Sequence, residues 1–414
     1  MSAKSSPKRI LILYLLSAIF GTIGGLLTIA VIFVIDELID LVWSKGFGIN
    51  PDAPIRTIAV VVVLIICGLV VGLLNKKYGK TGGGIEVLIR ESLDKGHIEW
   101  RKVPKDLLIS TFSIASGASL GPEAPASILA AGVASYTAEK TNMGLATSRA
   151  INLSAIAGMF GSLLSNPFLA TVMFIETSKD HIKKLQEMIG YSMIAGAFGM
   201  ATFFVLFNKL YVFDLGIPAY TGPTATDLYK AFVFGIIGAI FAIVVGIIMH
   251  KAEPIFKKLD RKVITRSLIG AVIAGLIAYA APLTMFSGQN VLPDVITTAA
   301  TTSFIALMLL AFAKLIATSV LLRTGFFGGI IFPSIFAGGV LGLAFNHFLH
   351  APVALAISCT IAGLITLAMR QPLTAAFLTL AIAGTSIAAP TALAVSAGLI
   401  MLVIVKNKLS ATQA

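Results

Sequence analysis

Apolar residues in this chain fall in long unbroken stretches, not at alternating positions. They run near residues 10–35, 57–75, 106–135, 148–176, 189–207, 230–249, 267–281, 295–322, 326–345, 352–369 and 372–405. A bilayer core about 30 Å thick takes about 20 apolar residues in helical form. The pattern therefore predicts an all-α polytopic membrane protein, since the strands of a membrane barrel would alternate. Several runs are short or interrupted by Gly and Pro. Irregular backbone at membrane depth is tolerated only where protein or a watery cavity shields it, so discontinuous helices of a transporter or channel are expected. The first run, from Ile10 to Ile35, is too long for the core of a secretory signal and reads as a retained helix.

Part of the pattern recurs. Ser127–Val133 (SILAAGV) matches Ser334–Val340 (SIFAGGV) at five of seven positions, 207 residues apart, each soon after a proline (Pro125, Pro333). A weaker echo pairs Pro167–Ala170 with Pro372–Ala375, 205 residues apart. Two echoes at nearly one offset predict a duplication, and corresponding broken helices place a binding site at the repeat interface. The expected organisation is an N-terminal cytoplasmic tail at 1–9, a first membrane repeat at 10–215, a second, inverted membrane repeat at 216–405 and a cytoplasmic tail at 406–414. No appended regulatory domain is expected.

Of the 414 residues 57% are apolar and 12% charged, about half the charge of an average soluble domain. That excludes a soluble globular domain, a disordered chain and a disulfide scaffold. The net charge of +12 does not point to nucleic acid, because no basic stretch carries interleaved aromatics in a soluble domain. The cations collect between apolar runs: Lys76, Lys77, Lys80, Arg90, Lys95, Arg101, Lys102 and Lys105; Lys179, Lys183 and Lys184; Lys251, Lys257, Lys258, Arg261, Lys262 and Arg266; Lys406 and Lys408. The 36–56 segment holds Asp36, Glu37, Asp40 and Asp52 against two cations. Basic loops stay on the cytoplasmic side, which puts both termini there. Cys67 and Cys359 sit in apolar runs and read as small core residues, and no metal or cofactor is expected.

Most acids fall in loops, and two stand within or at the end of long apolar runs, Glu123 and Glu176. An ionisable group at membrane depth is costly and by default functional. Three Gly-rich breaks each precede a helical pattern: Thr81–Glu86 (TGGGIE), Gly121–Pro125 (GPEAP) and Gly328–Pro333 (GGIIFP). Glycine lets backbone approach a ligand closely, and a helix N-terminus offers N–H groups and positive dipole. Three such starts converging would bind an anion reversibly, without the tight grip of a cationic side chain. Lys314, inside an apolar run, is expected to snorkel or to attract anions. Trp43 and Trp100 are expected to anchor at the interface, and His347 and His350 to pack there. The Ser116–Ser119 segment could serve an intramembrane enzyme as a nucleophile loop, but such a nucleophile needs a positioned base, and none is evident nearby.

These residues resemble the CLC family of chloride channels and chloride/proton exchangers, of a divergent prokaryotic type. The family's filter motifs GSGIP, G(K/R)EGP and GxFxP correspond to GGGIE at Gly82–Glu86, GPEAP at Gly121–Pro125 and GIIFP at Gly329–Pro333. The ordered set covers nearly the whole chain. The resemblance implies a homodimer in a prokaryotic inner or plasma membrane with one chloride pathway per subunit. It implies no enzymatic activity and no cofactor, with chloride and protons as partners.

By the same resemblance Glu123 is the gating glutamate, and Gly82, Gly83, Gly84, Ile85, Gly121, Pro122, Ala124, Gly329, Ile330, Ile331 and Phe332 line anion sites. Glu176 and Thr177 match the family's inner acidic pair, with Thr177 in place of the proton-handling glutamate. Other departures are Gly83 for the central serine, no tyrosine after Tyr279, Pro122 for the cation before the gating glutamate and Ala124 for the glycine after it. Chloride/proton antiport is the expected activity. A passive channel and a fluoride/proton exchanger are the alternatives.

Overall fold

The computed structural model describes residues 7–52, 56–79, 81–177, 185–208 and 215–413, the side chains of 185–187 and 407–413 excepted. The expected basic loop at Lys179, Lys183 and Lys184, and Lys80, lie outside the described residues. In chain order the α-helices are α1 (Pro7–Ile39), α2 (Ile58–Tyr78), α3 (Ile85–Lys95), α4 (Val103–Ala115), α5 (Glu123–Lys140), α6 (Leu145–Leu164), α7 (Leu169–Thr177) and α8 (Leu185–Phe207). They continue as α9 (Ala225–Lys258), α10 (Val263–Ala280), α11 (Leu292–Thr298), α12 (Phe304–Arg323), α13 (Ile331–Leu349), α14 (Val353–Met369), α15 (Pro372–Ala383) and α16 (Ala388–Gln413). Eight segments among the described residues are long and apolar enough to span a bilayer.

Four of the long apolar runs divide in two, each at a position the chain chemistry explains. The 106–135 run breaks at Gly117, whose φ of +87° suits glycine, and resumes after Pro122. The 148–176 run breaks at Ser165, a left-handed residue two positions before Pro167. The 295–322 run pauses before Ser303, whose hydroxyl caps α12 by accepting the Ala306 N–H. The 372–405 run breaks at Gly384, with φ of +82°. One expectation is corrected here. The acids Asp36, Glu37 and Asp40 are not in a loop, because α1 continues as π-turns through Asp40–Gly46. Likewise Lys251, Lys257 and Lys258 ride on the end of α9, where cations favour the helix dipole.

The contacts group the chain into two compact units. The first holds α1 to Asp36, α3, α4 to Thr111 and Pro122 through α8; the second holds Glu37 through α2, Phe112–Gly121 and α9 through α16. The two sequence echoes take matching local structure. α5 begins two residues before Pro125 and α13 two residues before Pro333, where a proline N–H would have no helical partner anyway. α6 ends at left-handed Ser165, two residues before Pro167, and α14 at left-handed Arg370, two residues before Pro372.

Glycines set the packing inside each unit. In the first, α6 is buried almost throughout and lies against α1 and α8. A methyl group on Gly158 would overlap the carbonyl oxygen of Gly21, one on Gly161 that of Gly196, and one on Gly199 that of Gly158. In the second, α14 lies against α9 and α16 in the same manner. There a methyl on Gly363 would overlap the Gly235 carbonyl, and one on Gly238 the Thr360 carbonyl. Lipid offers no hydrophobic drive for helix association, so close backbone contact has to supply it.

Gly158→Ala and Gly363→Ala are each expected to lower the thermal stability of the detergent-solubilised protein, by about 1–3 kcal/mol for an overpacked interior. Gly246→Ala, where nothing lies within 4 Å of the added methyl, should melt no lower than the parent. Identical melting curves for all three variants would refute backbone contact as the packing constraint.

Candidate functional site

In the first unit the TGGG segment turns directly into α3. Gly84 is the N-cap, and its carbonyl accepts the N–H groups of Val87 and Leu88 at 3.0 and 3.2 Å. No side chain caps this end. Gly83 is forced by sterics, because a Cβ there would collide with the Val87 side chain. The Gly82 N–H donates to Asp106 Oδ2 on α4 at 3.3 Å, so that amide already holds a carboxylate. These residues open on a cavity of about 180 Å³ lined also by Leu88, Ile98, Lys102, Val103 and Ile128.

α5 starts at Glu123, which is fully buried. Pro122 is its N-cap, with φ of −79°. Having no N–H, Pro122 shapes the entry and cannot donate to an anion. The first turn closes through Ala126 N–H to Pro122 O at 3.2 Å and Ser127 Oγ–H to Glu123 O at 2.6 Å. Ala124 and Pro125 are buried with it. A carboxylate at this end is favoured by the helix dipole.

In the second unit, the second and third motifs are pinned together. Gly121 N–H donates to Gly329 O at 2.9 Å, and Gly329 N–H returns the bond to Gly121 O at 2.7 Å. Both N–H groups are thus used by the bridge, and Gly121 and Gly329 position the loops they sit in. Gly328 packs so closely on Leu120 that a Cβ would lie 2.6 Å from the Leu120 Cβ. α13 follows, with Ile330 as its N-cap and Ile331 and Phe332 buried in its first turn. Its apolar window is 78% buried, against 33–50% in the other spans, so α13 is an interior helix.

Two sequence expectations are corrected around this bridge. Lys314 does not snorkel: it is fully buried and donates to the carbonyls of Thr284, Met285 and Phe286 at 3.1, 3.1 and 2.7 Å. Its Nζ also lies 5.0 Å from the centroid of the Phe336 ring on α13. Trp43 does not anchor at an interface: it is fully buried and donates to Ala115 O at 2.9 Å. Ser119 bonds Thr318 Oγ1 at 3.0 Å, and Thr318 in turn donates to Ser119 O at 2.8 Å. That hydroxyl ties the loop before Gly121 to α12.

Glu176 and Thr177 sit half-buried on the last turn of α7, which packs against α3. Sequence reasoning missed Asp106 and Asp227, which are 5% and 6% exposed. Asp106 opens an apolar run and passed for a loop residue. The signal that could have found it was its place four residues after Lys102 and beside Lys105, in a helix whose partner strand of sequence is the glycine loop. Asp227 closes a capping box with Thr224 at the start of α9, which Thr–x–x–Asp spells out.

With that geometry in hand, comparisons with known proteins are informative. The sequence model of the family described as voltage gated chloride channel matches residues 67–402. The chain is 27% identical over 373 residues to YfeO of Salmonella newport (strain SL254), a protein named for ion transport, covering 88% of each. YfeO of Salmonella choleraesuis (strain SC-B67) matches to the same extent. Among solved structures, a CLC-type fluoride/proton antiporter superposes with a TM-score of 0.78 at 19% identity, covering 96% of this chain and 97% of that one. A slow cyanobacterial Cl-/H+ antiporter superposes with a TM-score of 0.74 at 14% identity, covering 97% and 99%. At these identities the two structures share the fold with this chain.

Lys314→Met keeps the length of the side chain and removes its three donated hydrogen bonds. Each orphaned carbonyl costs about 1–3 kcal/mol, so amide hydrogen exchange should accelerate selectively over 282–288. Unchanged protection there would show that Lys314 does not hold the segment.

Proposed function

The chain belongs to the voltage gated chloride channel family, and from that premise we propose that it exchanges chloride for protons, with Glu123 as the coupling carboxylate. It is an integral membrane protein that moves anions and is not an enzyme. The observation that carries the reading is the complete burial of Glu123 at the first residue of α5, two residues beyond the Gly121–Gly329 bridge. A carboxylate there takes the place an anion would take at the helix end. Charged, it competes with the anion; protonated, it loses its claim on the positive end and yields. Anion entry and proton uptake are then alternatives for one position, which is the minimum that exchange requires.

The anion is held by main chain. In the first unit its donors are the amides of Gly83, Gly84, Ile85 and Ala124, and in the second unit those of Ile330, Ile331 and Phe332. Gly121, Pro122 and Gly329 set the geometry, and the Gly82 N–H is held by Asp106. With Gly83 at the serine position and no tyrosine after Tyr279, no hydroxyl donor supplements the amides. Glu176 matches the first acid of the family's inner pair, and Thr177 stands where the proton-handling glutamate would be. A homodimer in a prokaryotic inner or plasma membrane, with both termini cytoplasmic, completes the reading. Exchange of fluoride for protons is the second reading, supported by the fold shared with a CLC-type fluoride/proton antiporter.

In proteoliposomes under opposed pH and anion gradients, the parent protein should move protons uphill at the expense of chloride. Glu123→Gln should retain anion flux and lose proton flux entirely. Proton pumping that survives the substitution would remove Glu123 from the mechanism, and a reversal potential set by chloride alone would make the protein a passive channel. An anion series including fluoride decides between the two substrates.

A further inference from the structure

Asp106 is the buried acid that the exchange scheme leaves idle, and it sits on the first motif. Its side chain is almost wholly inaccessible, in the first turn of α4. Oδ2 accepts the Gly82 N–H at 3.3 Å, and Oδ1 lies 3.0 Å from Lys105 Nζ, a neighbour equally buried. Asp106 lines the cavity of about 180 Å³ at the start of α3. The other charged groups facing it are Lys102, Glu99 and Glu91. Of these Glu99 takes Lys102 in an exposed pair at 2.6 Å, and α5 presents only the apolar Ile128.

Two features of this arrangement bear on anion traffic. The first is that an anion already occupies the glycine loop, in the form of a carboxylate. A charge-assisted N–H to carboxylate bond is ordinarily about 2.7–2.9 Å long, so the contact at 3.3 Å is a slack one that a competitor can displace. The second is charge balance. A buried ion pair is disfavoured when only one of its charges is cancelled. If the carboxylate alone is protonated, the Asp106–Lys105 pair gains a net positive charge; if an anion enters while the carboxylate is charged, the site gains a net negative charge. Only the joint arrival of one proton and one anion conserves neutrality. The proton goes onto an Asp106 oxygen, and the anion takes the Gly82 N–H.

We propose that Asp106 is a second proton-handling carboxylate of this transporter, a tethered anion that yields the Gly82 amide to a mobile halide when it takes up a proton. This rests on the reading of the chain as a proton-coupled anion exchanger. It also supplies the inner acid whose family position is held by Thr177. The coupling at the first motif is cooperative, with proton and anion bound together, whereas at Glu123 they exclude one another.

The test measures chloride, and in parallel fluoride, binding to purified protein by calorimetry from acid to neutral pH. It is run in a Glu123→Gln background so that the first carboxylate is silent. In that background the dissociation constant should rise with pH, approaching about tenfold per unit where one proton is linked to one anion. Adding Asp106→Asn should flatten the dependence and keep binding tight at neutral pH. Lys105→Gln in the same background should keep the slope, because the carboxylate that takes the proton is retained. A slope in the double variant equal to that of Glu123→Gln overturns the proposal, as does a flat profile in Glu123→Gln alone. If Asp106→Asn does not yield folded protein, a flat profile in Lys105→Gln, which retains the carboxylate, overturns it equally. Failure of the parent protein to bind or transport either halide would instead sink the exchanger reading itself.

Discussion

Every non-helical stretch of backbone inside a bilayer must find its hydrogen bonds within the protein, because lipid offers none. The rest of this structure is arranged around that demand. Where the chain breaks between α4 and α5 and before α13, the freed groups are met one by one. Gly121 and Gly329 satisfy each other, and the Phe327 N–H reaches Ser113 Oγ at 3.4 Å. Asn75 Nδ2–H donates to Gly325 O at 2.9 Å, and the Ser267 hydroxyl donates to Thr324 O at 2.8 Å. Lys314 serves three carbonyls at once. Buried lysine is costly, and here it is used where a single ammonium can close three accounts that neutral donors would need three side chains to settle.

The same demand explains what is left over. The starts of α3 and α13 lack side-chain caps, and the N-cap of α5 is a proline. A soluble protein would place Ser, Thr, Asp or Asn there, as this chain does at Thr57, Thr224 and Ser303. Omitting the cap leaves first-turn amides to be met by something other than a fixed polar side chain. Two carboxylates, Glu123 at α5 and Asp106 at the loop before α3, stand at two of these three positions. Both are charges that can be cancelled by a proton, which a serine hydroxyl cannot match.

Much of this could be read in the residues. Membrane class and the broken spans followed from apolar runs and Gly–Pro interruptions, because each is a local consequence of backbone chemistry. Glu123 stood out as an acid in an apolar setting. The misreadings share one cause. Trp43, Lys314 and Asp106 were judged by where such residue types sit on average, while their actual environments are set by partners far along the chain: Ala115, the 284–286 carbonyls and Gly82. Long-range contacts leave no periodicity in the sequence. The glycine stripes on α1, α6, α8, α9, α14 and α16 were visible as composition, but which carbonyl each one meets was not.

The interlocked stripes have a kinetic consequence. Where Gly158 rests on the Gly21 carbonyl and Gly363 on that of Gly235, neighbouring helices within a unit have no slack along which to slide, and densely packed interiors resist compression. Side-chain rotation, which is fast on the scale of domain movement, is the cheapest motion left inside such a block. A membrane protein built this way is a stiff frame within each unit, where motion falls to side chains and not to sliding helices.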